Sequence, residues 1–167
     1  MWASTESTIE DAFVSSPDAP RLLLFGVGGR MCALELDTVR EIVPFRRTTR
    51  LPGAPSFVTG LINLRGQIVM AIDLRRRLGL PRRADGALPI NVVIRTSEGG
   101  VSLLVDEIGE VIEVSESSFE APPDTLRGAV RSMILGVHKL AGNLLHVLDS
   151  GSVCQVLAAT DATTPGC

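Results

Sequence analysis

Short apolar segments separated by glycine-containing turns recur along this chain, and their spacing is the feature that most restricts its fold. Each half of the sequence contains a hairpin with a glycine turn, a connector, and a second hairpin that ends in an apolar residue followed by aspartate. About ten short strands at this spacing predict a mainly β protein made of paired small barrels. Closing each sheet into a barrel removes the exposed edge strands that would otherwise pair with other chains.

Glycine turns mark the hairpins of the first half. Gly28-Gly29 separates "RLLLFGV" from "MCALEL", and Arg65-Gly66 separates "GLINL" from "QIVMAID". Between these hairpins we expect Asp37 to cap a brief helical turn through "TVREIV". The prolines of residues 44–56 are expected to keep that segment irregular. The segment "LRRRLGL" predicts a short helix. Gly79 and Pro81 are expected to end it.

The second half repeats this pattern after a candidate linker at residues 81–89. The segments "INVVIRT", "VSLLVDEI" and "GEVIEV" predict three strands. A last hairpin is expected around Ala141-Gly142.

Changes in composition predict how the chain is organised. Residues 1–20 are rich in Ser, Thr, Asp and Ala, which indicates a mobile leader, with a short helix expected over Ser7–Phe13. A single domain is expected over residues 21–157, followed by a flexible tail at 158–167. Within the domain we expect one subdomain over roughly 21–80, a second over roughly 90–148, and a short C-terminal helix over 149–157.

The composition excludes several classes of protein. The 167 residues are 45% hydrophobic, which is enough to bury a sizeable core. No apolar stretch approaches the roughly 20 residues of a membrane-spanning helix, and the N-terminus has no secretory signal pattern. The three cysteines lack a C-x-x-C spacing, so we expect no disulfide framework and no zinc site. Cys32 is expected in the core, and a reducing cytosol is the expected location.

Neither nucleotide nor nucleic-acid binding is indicated. A phosphate cradle needs glycines that open a helix, whereas Arg65-Gly66 lies between two predicted strands and no G-x-x-x-x-G-K-[ST] motif occurs. Five arginines between residues 75 and 83 could contact phosphates, but aromatic residues are only 4% and Tyr is absent. Nucleic-acid surfaces normally use aromatic stacking, so we interpret these arginines as a solvated helix face.

Catalytic chemistry is not indicated either. His138 and His146 lie on different strands of one hairpin with no obvious carboxylate between them, and we interpret them as exposed polar positions. Asp73, Asp106 and Asp149 each close an apolar strand, where carboxylates commonly make turn hydrogen bonds. We therefore predict no catalytic, metal-binding or cofactor-binding residue. A small β-barrel enzyme that uses these Asp and His groups remains the alternative.

Charges are placed unevenly along the chain. Residues 40–83 contain ten arginines against two acidic residues, and residues 98–124 contain eight acidic residues and no Lys or Arg. Either these segments form two solvated surfaces of opposite sign, or they steer unlike ends of neighbouring molecules together. Glu41 and Arg65 leave a similar choice, because they could pair with each other or with the charges of a partner.

Three blocks of the sequence resemble successive blocks of the CheW-like chemotaxis coupling proteins. They read "LLLFGVGGRMCALELDTVREIV", "FVTGLINLRGQIVMAIDLRRRLGL" and "VVIRTSEGGVSLLVDEIGEVIEV". The motif G-x-x-N-L-R-G, followed by an apolar strand and Asp-Leu-Arg, is the most specific part of the resemblance. It runs in order from about Arg21 to Leu157, and it implies two SH3-like five-stranded β-barrels that share a hydrophobic core, with short helices.

The resemblance implies a non-enzymatic adaptor without a cofactor. Members of this family bridge the cytoplasmic tips of chemoreceptors to the histidine kinase CheA. The expected partners are therefore a chemoreceptor tip and the regulatory domain of a CheA-like kinase, with contacts that can alternate into rings. The implied location is the cytoplasm, at membrane-associated receptor arrays, without insertion into the membrane. An array-assembly subunit without direct kinase control and a detached regulatory fragment of such a kinase remain alternatives, and an alternative motility or developmental pathway would suit the chain.

The resemblance also assigns residues to the two partners. Positions that match the receptor-facing groove and its support are Val39, Glu41, Asn63, Arg65, Ile68, Val92 and Val111. Positions that match the kinase-docking surface are Leu23, Leu36 and Val39.

Overall fold

The computed structural model describes residues 19–97, 99–140 and 142–155. The predicted helix over Ser7–Phe13, the tail at 158–167 and the end of the predicted C-terminal helix lie outside the described residues. The strands of this part of the chain are β1 Arg21–Val27, β2 Arg30–Glu35, β3 Val39–Val43, β4 Val58–Leu64, β5 Gln67–Asp73, β6 Ile90–Thr96, β7 Gly99–Val105, β8 Glu107–Glu113, β9 Phe119–Glu120, β10 Ile134–Leu140 and β11 Asn143–Leu148. The α-helices are α1 Leu74–Arg77, α2 Gly128–Ser132 and α3 Ser150–Val153, and single 3-10 turns occupy Leu36–Thr38 and Glu116–Ser118.

The strands form two sheets, which confirms a mainly β fold. The larger sheet has six strands in the order β8-β1-β2-β11-β10-β9, and the smaller sheet has five in the order β3-β6-β7-β5-β4. Most neighbours are antiparallel, but β11 pairs with β2 and β5 pairs with β7 in parallel.

Each sheet takes strands from both halves of the sequence. β1 and β2 join β8–β11 in the larger sheet, while β6 and β7 join β3–β5 in the smaller one. The two sheets therefore do not coincide with residues 21–80 and 90–148, which the sequence predicts as subdomains. Turn chemistry indicates which consecutive strands pair, whereas the parallel pairs that assemble the hairpins join strands far apart in sequence.

The hairpins form where the glycine turns predict them. At the β4–β5 turn, Arg65 and Gly66 have φ of +53° and +85°, the backbone that a two-residue type I′ turn requires. The predicted helical turn through "TVREIV" is wrong. Only Leu36–Thr38 is helical, and Val39–Val43, in which three of five residues are β-branched, form β3, which pairs with β6.

Three apolar clusters organise the interior. The shared core lies between the sheets and draws large buried side chains from both of them. The two other clusters each take their members from one sheet or its immediate end. The shared core includes Phe25, Leu34, Ile72, Leu74, Ile94, Leu103, Met133 and Leu148. The interior of the larger sheet contains Leu22, Leu24, Ala33, Ile112, Val114, Leu140, Leu145 and Val147, and that of the smaller sheet contains Ile62, Leu64, Val69, Ala71 and Val93.

These clusters show that each sheet curls around its own interior. A strand such as β1 is buried on both faces, because alternate residues point into the shared core and into the interior of its own sheet. Two such curled sheets on one shared core agree with the predicted barrel pair. Complete closure of either sheet by hydrogen bonds between its edge strands stays a prediction.

Candidate protein-binding site

The β4–β5 turn projects an exposed hairpin tip. The Oδ1 atom of Asn63 accepts a hydrogen bond from the N–H of Gly66 at 2.9 Å, which stabilises the tight turn. Asn63 faces Ile68 in the strand register, so the two lie side by side at the base of the tip. The side chain of Arg65 is 82% exposed, and Ile68 is 63% exposed. The tip thus offers a cation and an uncovered apolar side chain together.

Two side-chain contacts tie this tip to β3. The guanidinium of Arg65 lies 3.0 Å from the carboxylate of Glu41, and Arg40 donates a hydrogen bond to Gln67 at 3.1 Å. β3 is an edge strand separated from β5 by two others in the sheet order, so the sheet must curl for these contacts to form. Glu41 and Arg65 therefore pair within the molecule. An exposed pair of this kind contributes less than about 1 kcal/mol and can be exchanged for a partner's charges.

The residues assigned to the receptor groove divide into three groups. Glu41, Asn63, Arg65 and Ile68 are brought together at the hairpin tip, and the half-buried Val39 lies on β3 and packs against the shared core. By contrast, Val92 is 0% exposed in the shared core. Val111 is exposed on β8, an edge strand of the larger sheet.

The residues assigned to the kinase-docking surface are mostly turned inward. Leu23 is 2% exposed and belongs to the shared core, so it presents no surface to a partner. Leu36 and Val39 are half-buried and pack against the same core from its edge. Strand alternation alone could not distinguish a docking face from a second buried face, because β1 is covered on both sides.

The mouth of the smaller curled sheet forms a recess beside the hairpin tip. Its volume is about 570 Å³, and it was missed by reasoning from the sequence. Arg95 and Gln67 lie two residues beyond the interior residues Val93 and Val69, so the same strand alternation carries them to the mouth. Arg40 occupies a β-bulge between the paired residues on either side of it. Bulges re-aim side chains and leave no reliable sequence signal.

Two of the three aspartates that close strands make local turn hydrogen bonds, as predicted, and the third bonds a distant turn. Asp73 accepts from the N–H of Arg75 at 3.0 Å, and Asp149 accepts from the N–H of Gly151 at 3.1 Å, so these carboxylates cap α1 and α3. Asp106 accepts from the N–H of Gly28 at 2.6 Å, which ties the β1–β2 turn to the end of β7.

Asp106 is also the centre of an ion cluster formed by Asp73, Arg75, Arg83 and Asp106. Its carboxylate lies 2.7 Å from Nη2 of Arg75 and 2.9 Å from Nε of Arg83, and Arg83 also contacts Asp73 at 3.3 Å. Burial raises the pKa of Asp106, but hydrogen bonds from Arg75, Gly28 and Arg83 outweigh burial and hold that pKa below its ordinary value. The interpretation of the arginines as a solvated helix face is therefore wrong for Arg75 and Arg83.

The two histidines are structural rather than exposed, which corrects the prediction. His138 is buried, its Nδ1 lies 2.8 Å from the hydroxyl of Ser118, and its ring centroid is 5.2 Å from that of Phe119. His146 is half-buried, with Nδ1 3.3 Å from the carbonyl oxygen of Met31. Burial is the main cause that lowers the pKa of both imidazoles.

Neither a low-pKa thiol nor a metal-ligand cluster occurs in the part of the chain that the structure describes. Cys32 lies in the shared core as expected, and burial raises its pKa to about 12, so its thiol stays protonated and unreactive. Among these residues, no group of three or more His, Cys, Asp or Glu side chains is placed to hold a metal ion. The described residues thus form a small β module whose exposed hairpin tip carries an ion pair beside an uncovered apolar side chain.

Comparison with known proteins identifies the family of this module. The model of the CheW-like domain matches residues 21–157, and the chain belongs to this family of chemotaxis adaptor and scaffold proteins. It is 32% identical over 133 residues to the chemotaxis protein CheW of Bacillus subtilis, covering 80% of this chain and 85% of that protein. The chemotaxis protein CheW of Rhizobium meliloti is 30% identical over 132 residues, covering 79% and 85%.

The fold is also similar to a solved structure. The crystal structure of the scaffolding protein TtCheW from Thermoanaerobacter tengcongensis aligns with a TM-score of 0.75 and 26% identity, covering 83% of this chain and 94% of that one. A helix of the length and hydropathy needed to cross a bilayer is not found in the described part of the chain.

Proposed function

We propose that this protein couples chemoreceptors to a CheA-type histidine kinase, acting as a non-enzymatic adaptor in the cytoplasm at receptor arrays. The observation that carries the proposal is the exposed hairpin tip, where Arg65 pairs with Glu41 next to an uncovered Ile68. Membership of the CheW-like family supports a binding role for this surface.

The chemistry of the tip suits a receptor helix. An amphipathic helix would place an apolar side chain against Ile68 and polar side chains against Arg65 and Glu41. The ion pair already orients the guanidinium, so less side-chain entropy is lost when a partner binds. Val92 contributes from within the core, because it lies opposite Ile42 of β3 and so holds the strand that carries Glu41.

The residues assigned to the kinase contact share Val39 with the receptor contact. Leu36 and Val39 are the residues assigned to it that retain exposed area, and Leu23 supports them from the shared core. Val111, exposed on the edge strand β8 of the larger sheet, stays assigned to the receptor contact. A protein that contacts both a receptor and a kinase can hold the two together without chemistry of its own.

Two measurements test the proposal. The purified chain should bind a receptor cytoplasmic fragment and the regulatory domain of a CheA-like kinase from the same organism, each in a titration by calorimetry. Adding the chain to receptor and kinase together should change the rate of kinase autophosphorylation. Binding without any change in that rate would favour an array-assembly subunit, and absence of binding to either partner would reject the proposed function.

A further inference from the structure

The base of the recess at the mouth of the smaller sheet is formed by residues without side chains. Gly99 and Gly100 supply that floor without side chains, and a Cβ added at Gly100 would lie only 3.3 Å from Cγ1 of Val69. The floor and the exposed Ile68 at its edge leave room for an apolar side chain from outside the described domain. The recess therefore adjoins the hairpin tip and shares Ile68 with it.

Two arginines line its walls. Arg40 and Arg95 line the recess from β3 and β6, and Arg95 lies directly opposite Gly100 in the strand register. The other described residues that line it are uncharged, and Glu98, between the lining residues Thr96 and Gly99, lies outside the described residues. Two guanidinium groups beside an apolar edge are complementary to a segment that carries both carboxylates and large apolar side chains.

The chain contains such a segment in its first 18 residues. This segment has no Lys or Arg, so its side chains carry a charge of −4. A chain of 18 residues can extend to roughly 60 Å, which exceeds the width of a domain of this size, so the recess is within reach. Its acidic residues are Glu6, Glu10, Asp11 and Asp18, and its large apolar residues are Trp2, Ile9, Phe13 and Val14.

We propose that residues 1–18 dock into the recess of their own chain, with carboxylates against Arg40 and Arg95 and an apolar side chain over Ile68. A docked leader would cover Ile68 and compete with the receptor helix. This competition rests on the function proposed above, whereas the docking itself does not. The leader would then limit how tightly the adaptor binds a receptor.

The sequence provides a direct probe of the docking. Trp2 is the only tryptophan of the chain and Tyr is absent, so tryptophan fluorescence reports on the leader alone. In the full chain, Trp2 should emit at shorter wavelength and be quenched less by acrylamide than in a synthetic peptide of residues 1–18. The full chain with Arg40→Glu and Arg95→Glu should give the wavelength and quenching of the peptide.

Arg47→Glu is the matched control, because Arg47 is an exposed arginine that does not line the recess, and it should leave Trp2 as in the wild type. Circular dichroism melts of both variants establish that they are folded. Trp2 that is fully quenched in the wild type overturns the proposal, and so does protection that survives the double substitution. Protection that grows with protein concentration would assign the leader to a second copy and also overturn it.

A receptor titration tests the competition separately. The full chain with Glu6→Gln, Glu10→Gln and Asp11→Asn should bind the receptor fragment several-fold more tightly than the wild type. Equal affinity, with Trp2 protected only in the wild type, would overturn the competition. If no version binds the receptor, the proposed adaptor function fails while the fluorescence result still decides the docking.

Discussion

Replacing Asp106 with asparagine tests whether the ion cluster stabilises the junction between the two sheets. Asparagine keeps the size of the side chain and an oxygen that can accept from the N–H of Gly28, but it removes the charge. The guanidinium groups of Arg75 and Arg83 would then share Asp73 as the remaining carboxylate of the cluster. Asp106→Asn should therefore destabilise the fold through lost charge pairing, with little change in packing.

The size of the effect follows from how far these groups are buried. Removing one partner of a fully buried ion pair costs about 3–5 kcal/mol, because the other charge is left without compensation. Here the side chains keep 12–19% of their exposed area, so water screens part of the loss. We expect the free energy of unfolding to fall by about 2–3 kcal/mol, which corresponds to a melting temperature lower by about 5–10 °C.

The pH dependence gives an independent check. The pKa of Asp106 is lower in the folded state than its ordinary value of 3.8, so ionisation of this group stabilises the fold above that value. This contribution is lost as the pH falls through the folded-state pKa. The difference in unfolding free energy between the wild type and Asp106→Asn should therefore be largest near pH 7 and shrink below about pH 4.

Urea unfolding followed by circular dichroism at pH 7 and pH 3 measures both quantities. Glu110→Gln removes a charge from an exposed position on β8 and serves as the control, with an expected change within about 0.5 kcal/mol. A variant of Asp106 that unfolds like this control, or a difference that does not depend on pH, would refute the reasoning.

Three further predictions concern the hairpin tip and the surface charges. Arg65→Ala should weaken receptor binding with little change in melting temperature, because the ion pair of Arg65 is exposed. The control Arg47→Ala should change neither, and equal receptor affinity in both variants would contradict the role of the tip. Gly66→Val should lower the melting temperature, because a β-branched residue strongly disfavours the φ of +85°, and a melt like that of the wild type would show that the turn tolerates it. Association with the kinase regulatory domain should slow between 0.05 and 0.5 M salt (roughly a threefold change in screening length), mainly through the on-rate, as followed by stopped flow; a rate indifferent to salt would leave the charged segments as solvated surfaces.

The hairpins could be predicted from the sequence because turn chemistry is local. Two consecutive residues with positive φ at Arg65-Gly66 fix the register of β4 and β5, and that register places Asn63 beside Ile68. Which strands belong to which sheet could not be predicted. Strands β2 and β11 pair in parallel at Cys32 and His146, which lie more than a hundred residues apart. The sequence of neither strand indicates which strand it pairs with.

The site could be predicted in part for a related reason. Residues near a tight turn are exposed by geometry, so Arg65 and Ile68 lie where the motif implies. Leu23 and Val92 lie on strands buried on both faces, where an apolar residue can point into the shared core or into a sheet interior but not toward a partner. Arg40 was missed because only the bulge in β3 brings it to the mouth.

The parallel pairing of β2 with β11 affects how the chain folds while it is being synthesised on the ribosome. β1 and β2 are made first, yet the neighbour of β2 in the larger sheet ends at Leu148. Until that strand emerges, β2 has an open edge and the apolar residues of β1 and β2 lack most of their surroundings. Bringing β2 and β11 together closes a long loop, and this loss of chain entropy comes before the contacts between the strands form. The larger sheet is therefore completed only after nearly the whole domain has been translated. During that interval the open edge of β2 is available for pairing with other chains.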